Sequence, residues 1–337
     1  MLQFVKYLDI CGRPRRSVFE QLSFFATDEE HAEKLLEISR PEGADLYFNY
    51  ILQEKRTIVE VLEDFHSIRL PLAYLLELVQ PLQPRYFSIA SSQNANPGKL
   101  DLCVAVVDFL TPFSRRIKGV CSNWLAQRNA VHENEQLYNL SECLLQPEGY
   151  VSENNTVVVS QESLVPISIK PGSLFMPADE AACILIGPGT GIAPMRAIVQ
   201  ERAFKKYHSD EPPQQYGPID LYFGCRKRAK DFYYETEWES LIQSGGLRQL
   251  HTAFSRDQTA KEYVQLRLYE NRHDVAQCLL SDKSVIFIAG SAKRMPNDVS
   301  DILAQIIVET NGWSDSQARK YLKQLSTQRR FVIEAWA

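Results

Sequence analysis

Apolar residues recur at helical spacing through the first quarter of the chain. Val18, Phe19, Leu22 and Phe25 predict a helix over Ser17–Phe25. Thr27-Asp28-Glu29-Glu30 then offers a cap and an acidic first turn for a second helix through Leu35, Leu36 and Ile38. Thr57–Asp64 predicts a third, and Leu72–Leu78 a fourth behind Pro71. From Arg85 the pattern shifts toward strands. Arg85–Ala90 and the apolar run Leu100–Phe109 predict two, the second largely buried, with a turn between them at Asn94-Ala95-Asn96-Pro97-Gly98. Asn129–Gln161 is polar and lacks a regular pattern, so it reads as a loop excursion, and Val165–Ile169 resumes as a short strand.

After Pro177 strands and helices alternate. Cys183–Ile186, Ile219–Phe223, Arg248–Phe254, Ser284–Ile288 and Arg330–Ala335 read as strands. Helices fit between them, most clearly at Ala193–Tyr207, Asn297–Glu309 and Ser314–Leu325. That alternation is the signature of a doubly wound parallel sheet.

Composition narrows the class. The 337 residues have room for about two domains. With 45% hydrophobic and 23% charged residues they can bury an ordinary core, which excludes disordered and collagen-like chains. A net charge of -5 argues against a chain-wide nucleic-acid surface. No apolar run reaches the roughly 18 residues of a membrane span, and Met1–Lys6 lacks a secretory core. Cys11, Cys103, Cys121, Cys143, Cys183, Cys225 and Cys278 are scattered without Cys-x-x-Cys spacing, so reduced thiols in a cytoplasmic protein are expected.

Four segments carry candidate chemistry. Gly187-Pro188-Gly189-Thr190-Gly191 follows an apolar strand and opens a helix, where glycines and helix N–H groups suit a phosphate; a bare strand-to-helix turn is the plain alternative. The spacing is neither Gly-x-Gly-x-x-Gly nor a loop ending Gly-Lys-Ser/Thr, which argues against an ordinary NAD dehydrogenase or an ATPase. Ser255-Arg256 with Lys261, Tyr263 and Gln265 would suit the 2′-phosphate of NADPH, although alone they equally describe a solvated charged loop. Gly119-Val120-Cys121-Ser122 precedes a helix expected over Asn123–Gln127, offering donors for a pyrophosphate or an ordinary Ser N-cap. Arg85-Tyr86-Phe87-Ser88 sets a cation, an aromatic ring and a hydroxyl on one stretch, the parts a flavin needs.

In this order, and with Tyr222–Arg226, Ala289–Pro296 and the ending Glu334-Ala335-Trp336-Ala337, these segments resemble the ferredoxin–NADP reductase-like module of the diflavin reductases. The likeness runs over nearly the whole chain and is strongest to the NADPH-dependent diflavin oxidoreductase family of cytosolic iron–sulfur assembly, with cytochrome P450 reductase a relative. It implies an FAD-binding domain over 1–177, containing an antiparallel barrel with a helical insertion at about 15–82, and an NADPH-binding Rossmann-like domain over 178–337.

By the same resemblance Arg85, Tyr86, Phe87 and Ser88 contact FAD, with Tyr86 on the isoalloxazine. Gly119, Val120, Cys121 and Ser122 hold its pyrophosphate, and Lys55 stands where relatives carry an arginine near FAD. Thr190, Ser255, Arg256, Lys261, Glu262, Tyr263, Val264, Gln265 and Asp298 belong to the NADPH site. Trp336 covers the flavin and swings aside for nicotinamide, while Ser88 and Glu334 supply polar groups near the reacting atoms. The chain departs from P450 reductase at Ala289, where that enzyme has cysteine, and at Glu334, where it has aspartate.

The implied activity is hydride transfer from NADPH to FAD, then electron transfer through the FMN of a flavodoxin-like domain to an anamorsin-type iron–sulfur protein. Only Met1–Gly12 lies ahead of the helices, so an incomplete barrel and a missing FMN domain are expected, in a fragment, a short product or a chain that a partner completes. The rival class is a catalytically silent cofactor-binding or interaction module.

Overall fold

The computed structural model describes residues 7–127, 165–208 and 216–336. They form two compact units, one drawn from Met1–Tyr86 and Ala105–His132, the other from Phe87–Val104 and Glu133–Ala337. The expected loop at Asn129–Gln161 lies wholly outside the described residues, as do Met1–Lys6 and Ala337.

The first unit is mainly helical: α1 (Arg16–Ser23), α2 (Glu29–Ser39), α3 (Ala44–Tyr47), α4 (Ile58–Asp64), α5 (Leu72–Leu78) and α6 (Val120–Ala126). The starts of α2 and α4 have local chemical causes. Asp28 accepts a hydrogen bond from the His31 amide at 3.0 Å. Thr57 and Glu60 close a capping box, Glu60 accepting from the Thr57 amide at 2.8 Å and donating its own amide to the Thr57 hydroxyl at 3.3 Å. The apolar stripes meet in one core around Phe19, Leu22, Leu35, Ile51 and Val61, each fully buried. A six-residue π-helix, Phe48–Gln53, leads into Lys55, which has a left-handed φ of 56°. This unit also holds a short antiparallel pair, β1 (Asp108–Leu110) with β2 (Arg116–Lys118).

The second unit contains a five-stranded parallel sheet in the order β5-β4-β3-β6-β7. Its strands are β3 (Ala182–Ile186), β4 (Ile219–Cys225), β5 (Gln249–Phe254), β6 (Ser284–Ser291) and β7 (Phe331–Trp336). The helices are α7 (Ile192–His208), α8 (Arg228–Asp231), α9 (Glu235–Gln243), α10 (Val264–Glu270), α11 (Arg272–Leu280), α12 (Met295–Asn311) and α13 (Asp315–Thr327). β3 and β6 are apolar along both faces because a separate core packs each side. One is built on Ile184, Ile286, Leu303 and Leu322, the other on Leu185, Phe223, Trp238 and Phe287. Each strand and helix expected after Pro177 is present within a few residues of its predicted ends.

Three other expectations are corrected. Arg85–Ala90 and Leu100–Phe109 are not continuous strands; a single antiparallel bridge joins Ile89 to Leu102, and only Asp108–Leu110 is strand. The second run is also not buried: Leu102, Val106, Val107 and Phe109 are 38%, 51%, 41% and 43% exposed. Val165–Ile169 is irregular, with Val165, Ile167 and Ile169 all exposed. An apolar run forms a buried strand only where ladders on both sides and packed faces receive it, and among the described residues these segments have at most one short antiparallel pairing. The Ser N-cap reading fails too. The last helix of the first unit starts at Val120 rather than Asn123, with Gly119 at its cap, and Ser122 lies inside it.

Candidate active site

At the carboxyl edge of the parallel sheet, β3 runs into the Gly187–Gly191 loop and then α7. Two of the glycines are there for close approach. A Cβ on Gly191 would lie 1.9 Å from the Ala289 carbonyl oxygen, and one on Gly187 would lie 2.6 Å from the Gly191 oxygen. Gly189 is the opposite case: its φ is +59°, and a Cβ there would meet nothing within 4 Å. The loop is thus pinned to β6 on one side and open on the other, with Thr190 half-buried in it and the positive end of a 17-residue helix behind it.

β4 and β5 end beside each other. The Ser255 amide donates to the Cys225 carbonyl at 2.9 Å and the Arg256 amide to the Arg226 carbonyl at 2.8 Å. Register therefore sets Arg226 next to Arg256, a neighbour that the linear spacing did not reveal. The Gly224-Cys225-Arg226 ending of β4 was its only trace in the sequence. Among the described residues Arg226, Arg256 and Lys261 have no carboxylate partner. Tyr263 is exposed at the cap of α10. Gln265 carries a buried side-chain oxygen with no hydrogen-bond partner. An open glycine cradle, three exposed cations and an orphaned buried acceptor fit a dinucleotide with an extra phosphate.

The remaining predicted NADPH residues are placed differently. Val264 is 2% exposed and packs in the core, so close that a Cβ on Gly224 would lie 2.9 Å from it. Glu262 pairs with Arg267. Asp298 is exposed in the first turn of α12. Burial, aided by Asp231 and Asp257, pushes the Cys225 thiol pKa up to about 12, which disfavours its thiolate.

The same unit brings together residues far apart in sequence. Ser88 donates its hydroxyl to Glu334 Oε1 at 2.8 Å. Glu334 Oε2 accepts from the Ser173 amide at 3.0 Å, the Ser173 hydroxyl at 3.1 Å and the Leu174 amide at 3.4 Å. A Cβ on Gly172 would stand 2.8 Å from that oxygen, so the approach needs glycine. Both carboxylate oxygens of Glu334 are therefore engaged. Ser173 was not foreseen, because a Pro-Gly-Ser turn carries no mark of its distant partner. Trp336 lies two residues beyond Glu334, on the same face of β7, and packs partly buried against the core. Ala289, fully buried, is the register partner of Glu334.

In the first unit, Arg85 is exposed and donates to the Gln83 carbonyl, and Tyr86 is 67% exposed. Phe87 belongs to the other unit and is exposed at 36%. The segment from Gly119 to Ser122 is tied to Val107: the Gly119 amide donates to its carbonyl at 2.8 Å, and the Ser122 hydroxyl accepts from its amide at 3.0 Å. Gly119 has no room for a side chain, a Cβ there lying 2.7 Å from Val107 Cβ. Val120 is exposed and Cys121 half-buried. Lys55 is held by the backbone beside Glu54, whose buried carboxylate accepts from Thr111 Oγ1 at 2.5 Å and the Phe113 amide at 3.2 Å. An exposed aromatic ring and a glycine turn opening a helix fit a flavin nucleotide. Among the described residues no helix is long and apolar enough to cross a membrane.

Comparison with known proteins finds two domain profiles in the chain. A family profile described as an FAD binding domain matches residues 2–124, and one described as an oxidoreductase NAD-binding domain matches residues 185–301. The chain is 39% identical over 331 residues to NADPH-dependent diflavin oxidoreductase 1 of Arabidopsis thaliana, covering 96% of this chain and 48% of that protein. It is 39% identical over 335 residues to the protein of the same name in Xenopus laevis, covering 98% and 49%. Against NADPH–cytochrome P450 reductase of Drosophila melanogaster it is 34% identical over 334 residues, covering 98% and 44%. The chain spans about half the length of the curated relatives it matches. The chain thus carries an FAD-binding and an NAD-binding domain of ferredoxin–NADP reductase-like fold and is similar over nearly its whole length to the diflavin oxidoreductases.

Proposed function

We propose that this chain is an NADPH-dependent flavin oxidoreductase module, with FAD held by the domain over 1–177 and NADPH by the domain over 178–337. When bound, the cofactors supply the redox chemistry, a hydride passing from nicotinamide to flavin. The protein contributes alignment and electrostatics. Lys55, Arg85, Tyr86 and Gly119–Ser122 are assigned to FAD, as are Phe87 and Ser88. Thr190 and the glycine loop hold the NADPH pyrophosphate. Ser255, Arg256, Lys261, Tyr263 and Gln265 select the 2′-phosphate, joined by Arg226; Asp298 belongs to the same site.

The observation that carries this reading is the 2.8 Å hydrogen bond from Ser88 to Glu334, in the unit that also presents the glycine loop. With its proton committed to Glu334, the Ser88 oxygen is left as an acceptor. Glu334 is itself held by Ser173 and Leu174, so the hydroxyl has one orientation. Trp336, on the same strand face as Glu334, is the residue that shields the flavin and yields to nicotinamide. Electrons then leave through the FMN of a flavodoxin-like domain for an anamorsin-type iron–sulfur protein of cytosolic cluster assembly, in the cytoplasm. The similarity to the diflavin oxidoreductases and the likeness of Ala289–Pro296 and the Trp336-Ala337 ending support that route.

Purified protein tests the proposal. A yellow protein with an FAD absorbance band, bleached by NADPH and able to reduce ferricyanide, is expected. A colourless protein that binds NADPH but reduces neither ferricyanide nor a flavodoxin would instead support a silent binding module.

A further inference from the structure

α7 begins at the glycine loop and carries three polar side chains, Arg196, Gln200 and Glu201, that reach the segment following Ser88. Arg196 is 9% exposed. Its Nη1 donates to the Ala90 carbonyl and to Asp101 Oδ2, both at 2.8 Å, and its Nε donates to Glu237 Oε2 at 2.8 Å. Its guanidinium also lies 4.5 Å over the Tyr234 ring. One turn further on, Gln200 Oε1 accepts from the Ser92 amide at 3.0 Å, and Glu201 Oε2 accepts from the Ser92 hydroxyl at 2.6 Å.

A buried guanidinium is costly unless its donors are used, and here one side chain ties together three separate stretches of chain. The path is short. Arg196 follows Gly191 by about 7 Å of helix at 1.5 Å per residue. Ala90 follows Ser88 by at most about 7 Å of extended backbone. Ser88 is fixed at its other end by Glu334.

We propose that Arg196 is a positioning residue that holds Ser88 at a set distance from the nucleotide-binding glycine loop, so that phosphates bound at the N-terminus of α7 align nicotinamide with the Ser88 hydroxyl held beside its first turns. This rests on the oxidoreductase reading above. It predicts that Arg196 acts on the rate of hydride transfer and not on nucleotide affinity.

The test uses the full chain with Arg196→Met and Arg196→Lys; Asp101→Ala and Glu237→Ala each remove one partner should the first variant fail to fold. In the cofactor-free protein, amide hydrogen exchange is read at Ala90 and Ser92, whose amides are bonded to the Asp101 carbonyl and to Gln200. Exchange there rises about tenfold or more in Arg196→Met and less in Arg196→Lys, while α12 and α13 are unchanged. In the FAD-loaded protein, rapid mixing with saturating NADPH shows flavin reduction slowed about 10- to 100-fold, with NADP⁺ affinity by calorimetry roughly unchanged. Unchanged exchange at Ala90 and Ser92 would overturn the proposal. So would a loss of affinity as steep as the loss of rate, or exchange rising throughout the unit, since either marks a general structural role. If the wild-type protein is not reduced by NADPH, the oxidoreductase reading fails, and exchange in the cofactor-free chain still decides whether Arg196 holds the Ser88 segment.

Discussion

β6 and the run from Leu100 to Leu110 have nearly the same apolar character and opposite fates. β6 is flanked by β3 and β7, has a core on each face and is buried from Ser284 to Gly290. The Leu100–Leu110 run has one antiparallel bridge and three residues of strand, and Leu110 is 64% exposed. Composition is therefore not what makes the first a buried strand. Hydrogen-bonding partners on both sides and packed layers on both faces do so, and each is a tertiary property. The glycine loop shows the same dependence at higher resolution: Gly191 must be glycine because of the Ala289 carbonyl on another strand.

The comparison breaks most sharply at that contact. Gly191→Ala should abolish nucleotide binding or unfold the second unit, because its Cβ would fall within 1.9 Å of a backbone oxygen. Gly189→Ala should cost only about 1–2 kcal/mol, for its left-handed φ alone. Thermal unfolding and NADP⁺ calorimetry on the pair separate the two causes, and similar losses at both sites would refute the distinction. Next in size are the paired strand tests. Ile286→Ala, at a fully buried position of β6, should destabilise by about 2–5 kcal/mol. Phe109→Ser, at 43% exposure, should stay within about 0.5 kcal/mol. Equal losses in urea unfolding would mean that the Leu100–Leu110 run is packed after all.

What the sequence showed and what it hid divide along the same line. The cap at Asp28 is local, and so are the helix starts at Thr57 and Ser314, the alternating strands and helices and the glycine loop; all were legible. Arg226, Ser173 and Arg196 were not, since each acts on a residue brought near by folding: Arg256 through strand register, Glu334 across 161 positions, Ala90 across 106. Glu262 and Val264 show how much the side-chain setting varies within one short stretch. They stand in the same stretch as Lys261, Tyr263 and Gln265, yet one pairs with Arg267 and the other fills the core.

The cationic edge sharpens the comparison in function. Arg256→Ala should weaken NADPH by about 10- to 100-fold while leaving NADH nearly unchanged. An equal loss for both nucleotides in steady-state KM values would remove the 2′-phosphate role and return Arg226, Arg256 and Lys261 to a solvated loop.

The smallest effect concerns how well the parallel sheet tolerates acid. His251 in β5 stacks on the buried Tyr222 ring at 4.5 Å, accepts from the Asn271 amide at 3.2 Å through Nδ1, and has a buried Nε2 with no hydrogen-bond partner among the described residues. Burial lowers its pKa below the ordinary 6.5; Asp220 and Asp274 oppose that, and Arg248 and Arg267 reinforce it. The sign follows from linkage. Above pH 6.5 the ring is neutral in both states and the native state keeps its full stability. As pH falls through 6.5 the unfolded chain binds the proton first, so stability declines until pH drops below the folded value. His251→Phe preserves the stack and removes the titration. Between pH 7.5 and 5.5 its melting temperature should fall less than that of the wild type. A wild-type and variant pair with the same pH slope would show that the edge strand accommodates a charged imidazole, making β5 as permissive as the exposed Leu100–Leu110 run.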